Sequence, residues 1–269
     1  MISIICVYNN KKILNEWLLR SLENQTARYE LILIDNTDNK FKSATKALNY
    51  GGKKAKGKYI MFVHQDVRFS SNTWLKDAVN MLNSLPDVGI AGVAGKRDIR
   101  GFIESRRIIS NIVHGIPPKF AGNIKIHNPE KVQTLDECLF VIPKRVFDML
   151  QFDEENIDTW HLYAVDYALS VKKLGFNVYV LPLKIHHRST GDPIPTDYFK
   201  SLRKLLKKHK KNYQHVNTTC GNWYTFYPFV LQKLLFATEL CYYMFRNMSL
   251  RNIADGSLYF RTILNLIRG

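Results

Sequence analysis

The sequence predicts an α/β protein with a mostly parallel central sheet flanked by helices and a C-terminal helical appendage. Two observations carry this. Short apolar runs (Ile2–Val7, Tyr29–Asp35, Tyr59–Val63 and Val88–Val93) alternate with amphipathic helical spacings. That β-α-β-α-β-α-β order is the signature of a parallel sheet with right-handed crossovers. The run Tyr59–Val63 is apolar throughout, as a strand is when both faces of the sheet are covered.

Taken in order, Ile2–Val7 is a strand that ends at Tyr8, Asn9 and Asn10. Ile13, Leu14, Trp17, Leu18 and Leu22 recur at helical spacing and predict a helix over residues 11–24. The second strand ends in Asp35. A helix over roughly 41–50 is expected to break at Gly51-Gly52. The run from Lys58 ends in His64-Gln65-Asp66-Val67, and Asn72 or Thr73 can cap the helix that carries Trp74, Leu75, Ala78, Val79 and Leu82. Residues 95–131 show poor periodicity and read as a long active-site segment with little regular structure. Residues 134–142 predict one strand carrying Asp136 and Glu137, followed by a short helix from Pro143 and a turn at residues 152–155. His161–Leu174 reads as a helix closed by Gly175, Phe176–Leu181 as the last strand, and His186–Gly191 as a loop. Residues 197–213 read as a basic helix, and 223–245 as an aromatic-rich helix or helix pair.

Asp66 ends the most apolar run. In open α/β sheets ligands collect at the carboxyl ends of strands, where loops converge polar groups without disturbing the core. An acid there can hold a divalent cation, which in turn holds a diphosphate. The plainer role is to start a turn or to cap the helix after Asn72. Asp35, one crossover from the first strand, is suited to a ribose or base, or simply to an Asp-Asn-Thr-Asp turn.

The formal net charge is +16, and residues 200–269 contribute +10 of it through twelve Lys/Arg against Glu239 and Asp255. Such a tail suits a polyanion: nucleic acid, an anionic membrane surface or phosphorylated substrates. Lys200, Arg203, Lys204, Lys207, Lys208 and Lys211 share one side of a helix, which gives the membrane-surface reading its form. Gln232, Lys233 and Glu239 interrupt the apolar stretch after it and weaken it as a spanning segment. Four widely spaced cysteines indicate neither a zinc knuckle nor a disulfide framework, and a reducing compartment fits. The chain opens directly on a strand, so no signal peptide is expected, and the expected location is cytoplasmic.

The ordered set of short motifs resembles family 2 glycosyltransferases of the GT-A fold. Those motifs are Ser3–Asn9, Asp35-Asn36, the Asn49-x-Gly51…Ala55-x-Gly57-x-Tyr59 run into Asp66, Phe152-Asp153-Glu154, His161–Asp166, Gly175 and His187-x-Ser189-x-Gly191. The His-Gln-Asp-Val form resembles a bacterial subgroup with His-Gln at the front of the usual D-x-D. The resemblance covers roughly residues 2–192 and implies a GT-A domain there, with 193–269 as an extension. It implies a nucleoside-diphosphate sugar donor, UDP-linked, and a glycan or lipid-linked acceptor. Tyr8 and Asn9 would line the nucleoside pocket and Asp35 would accept from base or ribose. Asn49 and Lys53 or Lys54 would lie along the nucleotide, with Gln65 and Asp66 completing the site. Mn²⁺ or Mg²⁺ would sit on Asp66, with His187 (or His186 in the other register) compensating for the acid that His64 replaces. The family's base position is Ala164 here, so the base is expected to be Asp166, or Asp136, Glu137 or Asp158 from another segment.

Other classes fit less well. No groove-entering or single-strand-binding motif accompanies the basic tail, which counts against a nucleic-acid-binding protein. The first strand-to-helix turn has no glycine, which counts against a dinucleotide oxidoreductase or a nucleotidyltransferase. A non-catalytic sugar-nucleotide-binding homologue stays open because of Ala164.

Overall fold

Ile4 and Ile5, adjacent in the chain, enter different cores on opposite faces of one sheet. The computed structural model describes residues 1–99, 107–189, 193–248 and 261–266, with backbone alone at 239, 240 and 242–248. Ile4 and Met61 pack with Leu18, Trp74 and Val141, whereas Ile5 and Phe62 pack with Phe140, Phe147 and Tyr167. This is the two-residue period of a strand with both faces covered. Strands β1 (Ile2–Tyr8), β2 (Tyr29–Asp35) and β3 (Tyr59–Val63) pair in parallel, with Ile2 opposite both Tyr29 and Tyr59. Their carboxyl ends therefore share one edge, where Tyr8 stands opposite Asp35.

The first crossover comprises α1 (Lys11–Leu14), a π-helical stretch (Asn15–Leu19) and α2 (Arg20–Leu22), and it keeps Leu14, Trp17, Leu18 and Leu22 buried. Helix α3 (Ala44–Gly52) corrects the expected break, because it runs through both glycines. They serve close packing instead. A Cβ on Gly52 would lie 2.2 Å from the Phe147 ring, and one on Gly51 would lie 2.7 Å from Ile5. After β4 (Val67–Phe69), α4 (Trp74–Ser84) and β5 (Val88–Gly92) follow as anticipated.

Residues 95–131 depart from expectation. Their described part contributes to β6 (Ala94–Lys96) and forms β7 (Ile108–Ser110), β8 (Ile112–His114), β9 (Lys119–Ala121) and β10 (Glu130–Lys131). Strands of two or three residues are too short to show a period in sequence. The anticipated strand over 134–142 is two strands, β11 (Thr134–Leu135) and β12 (Leu139–Pro143), separated at Asp136–Cys138.

Strand β12 lies between β3 and β5 and is antiparallel to both. An antiparallel strand begins where its neighbours end. Leu139 is therefore paired with Val63, and Asp136 and Glu137 arrive at the same edge as Asp66. Beyond α5 (Lys144–Met149), α6 (Tyr163–Lys173) and β13 (Asn177–Val180), the large sheet has the order β10-β13-β5-β12-β3-β1-β2. Five of its seven strands run one way. A second sheet, of order β4-β14-β8-β9, includes β14 (Ile185–His187).

In the C-terminal region, α7 (Thr196–His209) packs onto the main core. Its Phe199, Leu202 and Leu205 enter the same core cluster as Phe62 and Phe140. The expected helix or helix pair over 223–245 is one helix, α8 (Phe229–Met248), preceded by a hairpin of β15 (His215–Thr218) and β16 (Gly221–Tyr224). No helix among the described residues is long and apolar enough to cross a membrane.

Candidate active site

A cleft of about 830 Å³ opens at the edge where β1, β2 and β3 end and β12 begins. Tyr8, Asn9, His64, Gln65, Asp66, Glu137 and Tyr163 all line it. Gln65 ties two strand ends together. Its Oε1 accepts from the backbone N–H groups of Asn9 (3.1 Å) and Asn10 (2.9 Å), and its Nε2 donates to Asn9 Oδ1 at 2.7 Å. Beside them Asp35 accepts from the Tyr8 hydroxyl at 2.8 Å and from the Thr37 hydroxyl and N–H. The Thr37 bonds, then the Tyr8 bond, hold the Asp35 carboxyl well below the usual carboxylate range.

His64, Asp66 and His187 each offer a ligand atom, and the three atoms lie within 4.8 Å of one another. Pairing of β14 with β4 sets His187 opposite Val67, next to Asp66. His187 Nε2 stands 3.2 Å from Asp66 Oδ1, and both side chains are no more than a fifth exposed. Burial works against the charge on Asp66, but the His187 hydrogen bond and the positive field of both histidines outweigh it and lower its pKa. Burial likewise opposes a charged His187, yet the Asp66 bond and charge raise its pKa. Burial first, then the nearby His187, keep His64 more neutral than an ordinary histidine. Two imidazoles and a carboxylate fit a divalent transition-metal ion, and a 3.2 Å spacing is close to the ~3 Å between adjacent ligands of an ion with ~2.1 Å bonds. His186 points elsewhere: its Nε2 bonds to Gly115 O at 2.8 Å and its ring meets Trp17 edge-on. Gly191 and Thr190 lie outside the described residues.

Glu137 is the other acid of the cleft. Its Oε1 is buried with no hydrogen-bond partner, and burial, then the charge of Asp136, push its pKa up to about 8. Backbone N–H groups of Ala164, Tyr163 and Leu162, at the start of α6, pull the other way. The carboxylate thus stands at the backbone of Ala164, where the sequence has no acid.

Several sequence candidates lie outside this arrangement. Both oxygens of Asp136 are engaged, one by Cys138 N at 3.0 Å and the other by the Thr219 hydroxyl at 3.1 Å. Asp166 is buried beneath α7, bonded to Lys208 and His209 at 2.8 Å each. Asp158 pairs with Lys204 on the surface. Asn49 is buried and clamps the turn at Phe152, bonding its N–H and carbonyl and Glu154 Oε1. Lys53 follows the far end of α3, whose Ala44 and Leu48 line the cleft, and Lys54 folds over the Tyr50 ring. Sequence reasoning counted His64 as a lost ligand and passed over Tyr163 and Trp160. The position of His64 at the end of a fully buried strand was the available signal for it.

A parallel-centred sheet with β12 reversed at its middle and a strand-end cleft of this kind defines a GT-A glycosyltransferase fold. The profile of the glycosyltransferase-like family matches residues 3–214, and the chain belongs to that family, the family 2 glycosyltransferases. Solved structures agree on the fold. S. aureus TarS shares 15% identity over 78% of this chain and 40% of its own, with a TM-score of 0.51. The mannosyltransferase PcManGT from Pyrobaculum calidifontis, solved with GDP-Man and Mn²⁺, shares 12% over 79% of this chain and 64% of its own, at 0.53. GalNAc-T7, solved with UDP, GalNAc and Mn²⁺, shares 13% over 76% of this chain and 47% of its own, at 0.54. The chain spans less than two thirds of each of these. No curated protein sequence matches it.

Proposed function

We propose that the chain moves a sugar from a nucleoside-diphosphate donor, UDP-linked, to a hydroxyl of a glycan or lipid-linked acceptor, with inversion and with a divalent cation. One observation carries the reading: His64 and Asp66 of the His64–Asp66–His187 cluster and the Glu137 carboxylate, whose Oε1 has no hydrogen-bond partner, line a single cleft at the strand ends. GDP-Man in the mannosyltransferase structure and UDP with GalNAc in that of GalNAc-T7 support the substrate class, and the Mn²⁺ in both supports the ion. Tyr8, Asn9 and Asp35 would receive the nucleoside end, with Gln65 bracing the loop between them and the phosphates.

His64, Asp66 and His187 would hold the cation, which when bound supplies positive charge for the leaving diphosphate. Glu137 takes the proton of the acceptor hydroxyl as that oxygen bonds to the anomeric carbon and the bond from carbon to diphosphate oxygen breaks. A single displacement inverts the anomeric centre. The raised pKa makes Glu137 a stronger base once ionised. It replaces Asp166, whose carboxylate is committed to α7.

A membrane-linked acceptor agrees with the tail. Lys200, Arg203, Lys207 and Lys211 of the 200–211 stretch are exposed, and Phe226, Val230, Leu234 and Leu235, beyond the intervening hairpin, present apolar surface. That combination supports reversible attachment to the anionic cytoplasmic face, for synthesis of a polysaccharide or glycoconjugate precursor. The deciding experiment is a transfer and thermal-shift panel of nucleotide sugars with and without Mn²⁺. Stabilisation by one donor class and turnover to a glycan acceptor are expected. Donor binding without any turnover would favour a non-catalytic homologue, and no response to any nucleotide sugar would overturn the reading.

A further inference from the structure

Tyr163 opens α6 directly after Leu162, whose φ of 68° is one that a residue with a branched side chain seldom adopts. The turn sets the Tyr163 ring against Phe140 and Phe152 and its hydroxyl between two groups of the cleft. One is the backbone carbonyl of Glu137, at 3.3 Å, and the other is Nε2 of His64, at 3.0 Å. A carbonyl oxygen can only accept, and a phenol carries one proton. With that proton directed to Glu137 O, the phenolic oxygen accepts from His64, so Nε2 carries the imidazole hydrogen. A neutral imidazole has only one, which leaves the Nδ1 lone pair free. The His64 backbone is held as well, its N–H donating to Cys138 O at 2.9 Å. The free nitrogen belongs to the ring that faces His187 across 5.7 Å, within the cluster that includes Asp66.

We propose that Tyr163 is a positioning residue that locks His64 in the tautomer able to bind metal through Nδ1, giving a two-imidazole, one-carboxylate site that selects Mn²⁺ over Mg²⁺. The inference rests on the metal site of the proposed function and adds its selectivity. Imidazole nitrogens suit transition-metal ions, whereas Mg²⁺ demands oxygen ligands in near-octahedral array. Hydrogen-bond partners of ligating histidines fix the tautomer and the ring orientation.

Two measurements test it. Nitrogen NMR of the wild-type imidazoles, without metal, reads the His64 tautomer: a protonated Nε2 is expected, and a protonated Nδ1 overturns the proposal. Mn²⁺ uptake, followed by the electron paramagnetic resonance of the free ion with UDP present and with Mg²⁺ as competitor, reads the selectivity. The wild-type protein should hold Mn²⁺ at least tenfold more tightly than Mg²⁺. Tyr163→Phe should weaken Mn²⁺ roughly 10- to 100-fold, the usual cost of losing such a partner. His64→Asp, which restores an oxygen ligand and does not depend on Tyr163, should narrow or reverse the preference for Mn²⁺. A folded Tyr163→Phe protein with wild-type Mn²⁺ affinity would reduce Tyr163 to packing while leaving the metal site intact. Equal wild-type affinity for both ions, or an unchanged preference in His64→Asp, would overturn the selectivity. Uptake of neither ion would instead remove the metal from the proposed function itself.

Discussion

The Asp166 carboxylate accepts a hydrogen bond from His209 Nε2 across 2.8 Å, and Lys208 reaches its other oxygen at the same distance. Lys208 also pairs with Asp153, so one buried network joins α6, α7 and the turn at residues 152–155. An acid in such a network holds the fold together and has no free oxygen for an acceptor hydroxyl.

Replacing Asp166 with Ala should therefore strike stability. Removing one partner of a buried ion pair leaves uncompensated charge and costs about 3–5 kcal/mol. Denaturant unfolding should show that loss, while turnover per folded molecule stays near the wild-type value. A stable Asp166→Asn protein with turnover reduced a hundredfold would return the base to Asp166.

Glu137→Gln should do the opposite. General base catalysis contributes roughly 10²–10⁴-fold, so turnover should fall by that order while donor binding persists. The buried carboxyl prefers its neutral form, so the neutral amide should keep or raise the melting temperature at pH 8. A large loss of stability with intact turnover would make Glu137 structural.

The same group sets an expected pH dependence. Its folded pKa, about 8, lies above the ordinary 4.5, so between these values the folded state holds the extra proton. Stability from this group is therefore complete below about pH 4.5 and is lost as pH rises through about 8. Activity runs the other way, because the base must be ionised: kcat/KM should climb with pH towards 8. The stability trend should flatten in Glu137→Gln, and its persistence there would assign it to other groups.

At the metal cluster, Asp66→Ala should abolish transfer and the metal-dependent part of UDP affinity. His187→Ala should raise the Mn²⁺ concentration needed for activity, and His186→Ala should have little effect, since that ring faces Gly115 and Trp17. Full turnover by Asp66→Ala would remove the cation from the reaction.

For the tail, cosedimentation should detect binding to anionic vesicles at low salt and much less to neutral ones. Charge reversal at Arg203, Lys207 and Lys211 should abolish the difference, because Lys200, Lys204 and Lys208 are already paired with acids of the protein. Unchanged binding after that reversal would place any attachment elsewhere.

By itself the sequence determined which runs are strands, the parallel trio β1–β2–β3 and the edge at which their polar ends meet, though not that β2 lies at the rim of the sheet with Leu31 and Leu33 exposed. Those features are local: continuous apolar runs and helical spacings are set within ten or twenty residues, and Asp35 and Asp66 sit at the ends of such runs. The family resemblance rested on the same stretches. Tertiary structure alone decided what depends on partners far apart in the chain. The reversal of β12 between β3 and β5 sends Glu137 to the edge, and a run read as one strand from 134 to 142 held no mark of its direction or its break. Gly51 and Gly52 look like a helix stop until Phe147 and Ile5 are seen to require their missing side chains. Asp166 and His209 are forty-three residues apart, and nothing near either one announces the bond. His64 read as an acid lost; beside His187 and beneath Tyr163 it becomes a nitrogen ligand candidate, because a histidine's chemistry is set by what its second nitrogen touches.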